Sequence, residues 1–201
     1  MIPAHAEAPG PAIPAALAIP AIASGAQAFI PDGFSFVSEV SGDLGGPYPG
    51  VAQVYENVAG RRALLVGMRR PEGFEATGWG FVLPCRSCGA DLPGDRNLEL
   101  RIHQRAVVVI DRSASEAEGT TTRAELELRR DPATLKWKLV TLTQFTVFTR
   151  QGRAEQSITD YERGETRDSV GRYDGSVFFV EKVESAAITA PALTLDVLTL
   201  Y

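Results

Sequence analysis

Between Asn97 and Phe148 apolar and polar residues alternate with a period of two. The apolar positions in this stretch are Leu98, Leu100, Ile102, Val107, Val109, Ala124, Leu126 and Leu128. Such alternation is typical of strands that bury one face and expose the other. The sequence therefore predicts an all-β domain, an antiparallel meander that forms a two-layer sandwich or a partly open barrel with few or no helices.

Turn residues divide this pattern into segments. The apolar alternations at 98–104 and 105–112 adjoin, which predicts a hairpin. The sequence Asp131-Pro132-Ala133-Thr134 predicts a turn between strands at 123–130 and 135–143, because proline presets the first turn dihedral. Val177–Val183 is apolar enough for a later strand, and residues 193–200 read as a further strand or a docking linker.

Length and charge narrow the class of protein. With 201 residues and 44% hydrophobic content, the chain can bury one core, and residues 29–201 are predicted to form a single β-rich domain. The net charge of -5 disfavours nucleic acid as a partner, because a phosphate backbone requires a basic surface. No integral membrane segment is predicted.

Residues 1–28 form an Ala/Pro-rich segment that differs from the rest of the chain. Residues 8–31 carry no ionised side chain, and their prolines prevent a continuous membrane-spanning helix. Ala26-Gln27-Ala28 before Phe29 matches the small-x-small pattern of a signal-peptidase site. We expect a signal peptide and a periplasmic or secreted protein. The alternative is a disordered tail on a cytoplasmic protein.

Cys85 and Cys88 are the two cysteines of the chain and are separated by two residues. In an exported protein this pair is predicted to form a disulfide that closes a tight turn. Free thiols, a metal site and a redox-active pair are the alternatives. Pro84 and Gly89 do not match the strand and helix that flank a thioredoxin-type pair.

Several short motifs, in this order and spacing, resemble a group of uncharacterised exported proteins of Gram-negative bacteria. They are Phe29–Gly33, the Gly42-Asp43-Leu44 loop, Arg62–Val66, Cys85–Cys88, Trp137–Val140 and Ser157–Gly164. In that group the loop typically reads Gly-Asp-Leu-Asn-Gly-Asp-Gly, similar to integrin-like calcium loops. The resemblance spans roughly residues 29–175 and implies an exported address, with no activity to carry over.

The calcium-type loop is degenerate in this chain. Gly45, Pro47 and Gly50 stand where the group carries its further acidic or amide ligands, so the resemblance carries over only Asp43 as a metal ligand. Calcium usually takes six or more oxygen ligands. From its glycines and prolines, this loop is predicted to be an ordinary turn. No cofactor is predicted.

Catalytic signatures are weak. His103 is the one histidine in the predicted domain, on a strand face opposite its apolar residues. Carboxylates between Asp160 and Asp168 alternate with arginines, which is typical of a solvated surface. Within this region Asp160, Tyr161 and Arg163 are the candidate ligand-binding residues, because an aromatic ring beside donors and acceptors suits a polar small molecule.

These patterns favour an exported β-rich binding or envelope-associated module without catalytic activity. Its expected partner is an unknown small molecule or envelope component, and its oligomeric state does not follow from the sequence. The alternative is a carbohydrate-active hydrolase that uses carboxylates near Asp160 and Glu162, since glycoside hydrolysis needs a carboxylate pair across the scissile bond.

Overall fold

A computed structural model describes residues 21–83, 97–189 and 193–195. These residues form strands joined by turns, with short 3₁₀ segments at Ala26–Phe29 and Thr149–Gln151. The strands are β1 (Ala21–Ala23), β2 (Phe34–Gly42), β3 (Gly50–Asn57), β4 (Arg62–Arg70), β5 (Gly73–Leu83), β6 (Asn97–His103), β7 (Ala106–Ser115), β8 (Thr120–Arg130), β9 (Trp137–Phe148), β10 (Arg153–Asp160), β11 (Glu165–Tyr173) and β12 (Phe178–Ala187). Across these ranges, none of the helical segments has the length and hydropathy needed to cross a membrane.

The strands make two antiparallel sheets. The five-stranded sheet has the order β1-β5-β4-β3-β2, and the seven-stranded sheet has the order β12-β11-β10-β9-β8-β7-β6. Neither sheet closes into a barrel, because each keeps two distinct edges. The all-β prediction is confirmed, as is the hairpin of β6 and β7, and the two-layer alternative describes the fold.

The main core lies between the sheets. It is built from alternate residues of β3 and β4 on one side and of β7, β8 and β9 on the other. Its buried members are Ala52, Val54, Leu64, Val66, Val107, Val109, Leu126, Leu128, Trp137, Leu139 and Leu195. Burying one Leu or Val side chain contributes roughly 1.5–3 kcal/mol, so the alternation seen in the sequence is the main source of stability.

A second apolar cluster covers the opposite face of the five-stranded sheet. Phe29, Phe74 and Trp79 are buried there, and residues 21–30 pack over them. Strand β1 pairs with β5, with Ala21 opposite Ala76. Cleavage before Phe29 stays a prediction; it would remove β1 from this sheet and leave Phe29 in the cluster.

Strand β11 is absent from the sequence prediction. Glu165–Tyr173 carries charged or polar residues on both faces, so it lacks the alternation that identifies a half-buried strand. Strand β11 is stabilised by backbone hydrogen bonds to β10 on one side and to β12 on the other. Of the carboxylates predicted to lie on a solvated surface, Asp160, Glu165 and Asp168 stand on the sheet, and Glu162 lies in the turn between β10 and β11.

Candidate functional site

The predicted ligand-binding residues lie together in the turn between β10 and β11. The Oδ1 atom of Asp160 accepts hydrogen bonds from the backbone N–H groups of Glu162 at 3.1 Å and Arg163 at 2.9 Å. The Arg163 Nε lies 3.5 Å from Asp160 Oδ2. This is the Asx-turn role of aspartate, so the Asp160 carboxylate already stabilises the backbone of its own turn.

Tyr161 packs toward the interior of the domain. Its ring contacts the inter-sheet core, and its backbone N–H donates to the Val140 carbonyl at 2.9 Å. Burial raises the pKa of the Tyr161 phenol above its ordinary value. Part of the Tyr161 ring surface therefore packs against the core and is not accessible to a ligand. The ligand-binding role of Asp160, Tyr161 and Arg163 and the hydrolase alternative stay predictions.

The predicted metal ligand Asp43 contacts its own loop and a neighbouring arginine. Asp43 Oδ1 accepts a hydrogen bond from the Gly45 N–H at 2.7 Å, and its Oδ2 lies 3.8 Å from Arg105 Nε. Within the described ranges, no three His, Cys, Asp or Glu side chains are grouped so that they could hold a metal. A metal role for Asp43 stays a prediction. Cys85 and Cys88 lie outside the described residues, and so does their predicted disulfide.

A cleft of about 480 Å³ opens at one end of the sandwich. Three turns meet there, namely the β2–β3 loop, the β6–β7 hairpin turn and the β8–β9 turn. We call it the arginine cleft; its lining residues are Leu44, Gly45, Gly46, Met68, Thr77, Gln104, Arg105, Arg129, Arg130, Pro132, Leu135 and Trp137. These groups are cationic, amide, hydroxyl and apolar, a combination that binds and orients a ligand.

Arg105, Arg129 and Arg130 give the cleft its positive charge. Arg129 forms an ion pair with Glu127 at 2.7 Å, and Arg105 is 72% exposed beside Asp43. Arg130 Nε donates to the Leu135 carbonyl at 3.2 Å, and among the described side chains it has no carboxylate partner. Within the described ranges the Arg130 guanidinium is thus paired with a backbone carbonyl alone.

Backbone strain is concentrated at the same place. Gln104, Arg105 and Leu135 have φ angles of 48°, 64° and 59°, and they are the non-glycine residues with positive φ in the described part of the chain. Left-handed backbone costs an L-residue roughly 1–2 kcal/mol. All three residues line the arginine cleft. Strain of this kind is typical of ligand-binding sites, where it fixes the direction of side chains.

The cleft wall formed by the β8–β9 turn is held by Asp131. Its Oδ1 accepts hydrogen bonds from the N–H groups of Ala133 at 2.8 Å and Thr134 at 2.9 Å, and its Oδ2 accepts one from Lys138. The Lys138 hydrogen bond and then these backbone bonds hold the Asp131 pKa well below its usual range. Pro132 and Leu135 are thereby fixed against the cleft.

The sequence predicts the positions of the three turns along the chain but not their proximity in the folded protein. Gly45, Gln104 and Leu135 are separated by tens of residues, and only the folded sheets place their turns at one end. The one local signal is the Gln104-Arg105 pair. Type I′ hairpin turns favour Asn-Gly, so a two-residue hairpin without glycine indicates a strained turn.

Comparison with models of protein families, with curated proteins and with solved structures finds no match for this chain. The resemblance to exported proteins of Gram-negative bacteria therefore stays a prediction. The geometry of the arginine cleft is the basis on which function is argued below.

Proposed function

We propose that this protein is a non-catalytic binding module that holds a small anionic ligand in the arginine cleft. The observation that carries the proposal is that three arginines and two further residues with strained backbone line one cleft of about 480 Å³, and that one of the arginines, Arg105, is itself strained. Ligand sites of small molecules commonly fall in this range of volume. The exported, envelope-associated address predicted from the sequence forms part of the proposal.

The lining groups indicate the chemistry of the ligand. Guanidinium groups donate paired hydrogen bonds to carboxylate or phosphate oxygens. Leu44, Met68 and Leu135 add apolar surface beside the arginines. The best fit is a small molecule with one carboxylate or phosphate group attached to an apolar body, the anion facing Arg105 and Arg130.

Strain supports the assignment through preorganisation. Gln104 and Arg105 are held at positive φ by the hairpin of β6 and β7, whose register is regular up to the His103–Ala106 pair. A rigid turn loses little conformational entropy when the ligand binds. The protein therefore stabilises a bound anion with side chains that are already directed by the fold.

The test uses phenyl phosphate as an anionic probe and benzyl alcohol as its neutral counterpart. We expect calorimetric titration at low ionic strength to detect phenyl phosphate and to detect no benzyl alcohol binding at the same concentration. Binding should weaken as salt rises, because exposed charges are screened. Trp137 lines the cleft, so its fluorescence should change on binding; Trp79, in the other apolar cluster, should report no change.

Variants separate the arginine cleft from the β10–β11 turn. Arg130→Gln removes the cleft arginine that has no carboxylate partner among the described side chains, and it should weaken phenyl phosphate binding about tenfold or more, as expected for a hydrogen bond to a charged group. Arg163→Gln is the matched control and should bind as the unmodified chain does. Loss of binding in Arg163→Gln alone would instead support the site predicted at Asp160, Tyr161 and Arg163, and equal affinity for both probes would contradict the proposal.

The address is tested separately by the intact mass of the protein from its native host, read with and without reductant. A chain that begins at Phe29 and is two hydrogens lighter without reductant would support export and a Cys85–Cys88 disulfide. A chain that retains residues 1–28 and two alkylatable thiols would contradict the exported address. It would leave ligand binding at the arginine cleft unaffected.

A further inference from the structure

Strand β12 is an unusual edge. It ends the seven-stranded sheet, and in the described part of the chain no strand pairs with its outer side. Nine of its ten residues are exposed. The opposite edge strand, β6, by contrast lies against β2 of the other sheet. Strand β12 therefore presents unpaired backbone donors and acceptors, which form a template for another strand.

Apolar side chains on β12 are exposed as well. Phe179 is 47% exposed, Val180 is 50% exposed and Val183 is 52% exposed. Natural edge strands that stay unpaired usually carry charge, a bulge or a covering segment; β12 carries charge at Glu181, Lys182 and Glu184 and one bulge, and no described segment covers it. The bulge of this strand falls at Glu181, because Val180 pairs with Gly171 and Lys182 pairs with Val170. The segment Lys182–Ala187 beyond the bulge keeps a regular register, so it can accept a partner strand along its full length.

Charge limits how β12 pairs with a second copy of itself. In an antiparallel pair centred on Val183, each Lys182 lies opposite Glu184 of the other copy, and the two valines face each other. Shifting the register by one residue places Glu181 opposite Glu184 in one direction and Lys182 opposite the uncharged Ser185 in the other, and it sets side chains of opposite sheet faces against each other. Shifting it by two places Lys182 opposite Lys182 or Glu184 opposite Glu184. Opposite charges stabilise a cross-strand pair and like charges destabilise it. The sequence of β12 is therefore complementary to itself about Val183.

A second complementary register places Glu181 opposite Lys182. It puts the bulged residue in the centre of the pairing, where the ladder of backbone hydrogen bonds is interrupted. The register centred on Val183 uses the regular part of the strand.

From this edge we infer that β12 joins two copies of the chain into a symmetric dimer, by antiparallel pairing centred on Val183. The two seven-stranded sheets then continue across a twofold axis, which is the common symmetry of homodimers. Strand pairing alone buries less area than a standard protein interface, so the dimer should dissociate on dilution. The inference is independent of ligand binding at the arginine cleft.

Charge reversal tests the dimer and its register. Sedimentation velocity and light scattering over a concentration series should show a dimer that dissociates to a monomer on dilution. Lys182→Glu places a second carboxylate opposite Glu184 of the other copy, and Glu184→Lys places a second ammonium group opposite Lys182. Each change should therefore raise the dissociation constant about tenfold. The double variant Lys182→Glu/Glu184→Lys restores both opposite pairs and should return the constant to near that of the unmodified chain.

The matched control is Arg153→Glu on the interior strand β10. Arg153 and Glu155 form a similar ion pair within one strand, at 2.9 Å, and reversing the charge of Arg153 should leave the dissociation constant unchanged. Far-ultraviolet circular dichroism checks that each variant is folded. We expect all of them to fold, because the substituted side chains on β12 are exposed. A monomer at every concentration, unaffected dimers in both single variants, or no recovery in the double variant would each overturn the inferred pairing.

Discussion

The indole Nε1 of Trp137 donates a hydrogen bond to Thr77 Oγ1 at 3.1 Å across the interior of the domain. Trp137 belongs to the seven-stranded sheet and Thr77 to the five-stranded sheet, so this bond links the two layers. Thr77 Oγ1 in turn donates to the Val66 carbonyl at 3.2 Å. Both residues are buried, with Trp137 2% exposed and Thr77 5% exposed.

Replacing Thr77 by valine tests the importance of this link. Valine has nearly the same shape but no acceptor, so Thr77→Val leaves a buried indole N–H without its partner. We expect the free energy of unfolding to fall by about 1–3 kcal/mol, the cost of an unsatisfied buried polar group. Thr77→Ser keeps the hydroxyl and should lose less. Equal stability of all three proteins in chemical denaturation would show that the link contributes nothing measurable.

Gly80 is predicted to be essential for docking of residues 193–195. A Cβ atom at Gly80 would lie 1.9 Å from the Leu195 carbonyl oxygen, and Leu195 N–H donates to the Trp137 carbonyl at 2.8 Å. Gly80→Ala should displace this segment at a cost of about 1–3 kcal/mol. Hydrogen exchange of the Leu195 amide should accelerate about tenfold or more.

The matched control for that experiment is Gly25→Ala. A Cβ atom at Gly25 meets no atom within 4 Å, so this change adds the same methyl group to open space. The Leu195 amide should exchange at its ordinary rate in this variant. Unaltered exchange in Gly80→Ala would show that the segment is not held against β5.

The Asp131 carboxylate should make the free energy of unfolding depend on pH. Its pKa in the folded protein lies below the ordinary value of 3.8, chiefly because of the Lys138 hydrogen bond. The unfolded chain therefore binds the proton more readily, and the stabilisation is present above pH about 4 and is lost as the pH falls toward the folded pKa. The unmodified protein should lose more stability than Asp131→Asn between pH 5 and pH 2.

Denaturation of both proteins at a series of pH values measures that effect. The difference between their free energies of unfolding should shrink as the solution becomes acidic, because protonation removes the charge that asparagine already lacks. A difference that stays constant across the range would contradict the assigned role of the Asp131 charge. Salt should reduce the difference at pH 5, since the Lys138 pair is partly exposed.

The core strands can be predicted from the sequence because their alternation has one cause, the burial of every second side chain between the two sheets. Leu126 and Leu128 point into the inter-sheet core, and the residues that precede each of them, Glu125 and Glu127, lie on less buried positions. The same reasoning fails for β11, where the adjacent Val170 and Gly171 are flanked by charged or polar residues on both sides and long-range pairing decides the structure. The arginine cleft also escapes prediction, since turns distant in sequence form it only after the sheets have packed.

The hairpin turn at Gln104 and Arg105 is predicted to trade stability for binding. Both residues adopt left-handed backbone, which asparagine and glycine adopt at lower cost. Gln104→Asn/Arg105→Gly should therefore raise the free energy of unfolding by about 1–2 kcal/mol. It should also weaken phenyl phosphate binding, because the Arg105 guanidinium is lost from the cleft.

Two further variants separate these effects. Gln104→Asn alone keeps Arg105 and an amide side chain, so it should gain stability and retain affinity. Arg163→Gly makes an arginine-to-glycine change in another hairpin turn, at a residue whose φ is not positive. It should lose about 0.5–1 kcal/mol through the entropy of the unfolded chain. If the double variant unfolds at a lower denaturant concentration than the unmodified protein, the turn is not strained, and the structural argument for a preorganised cleft fails with it.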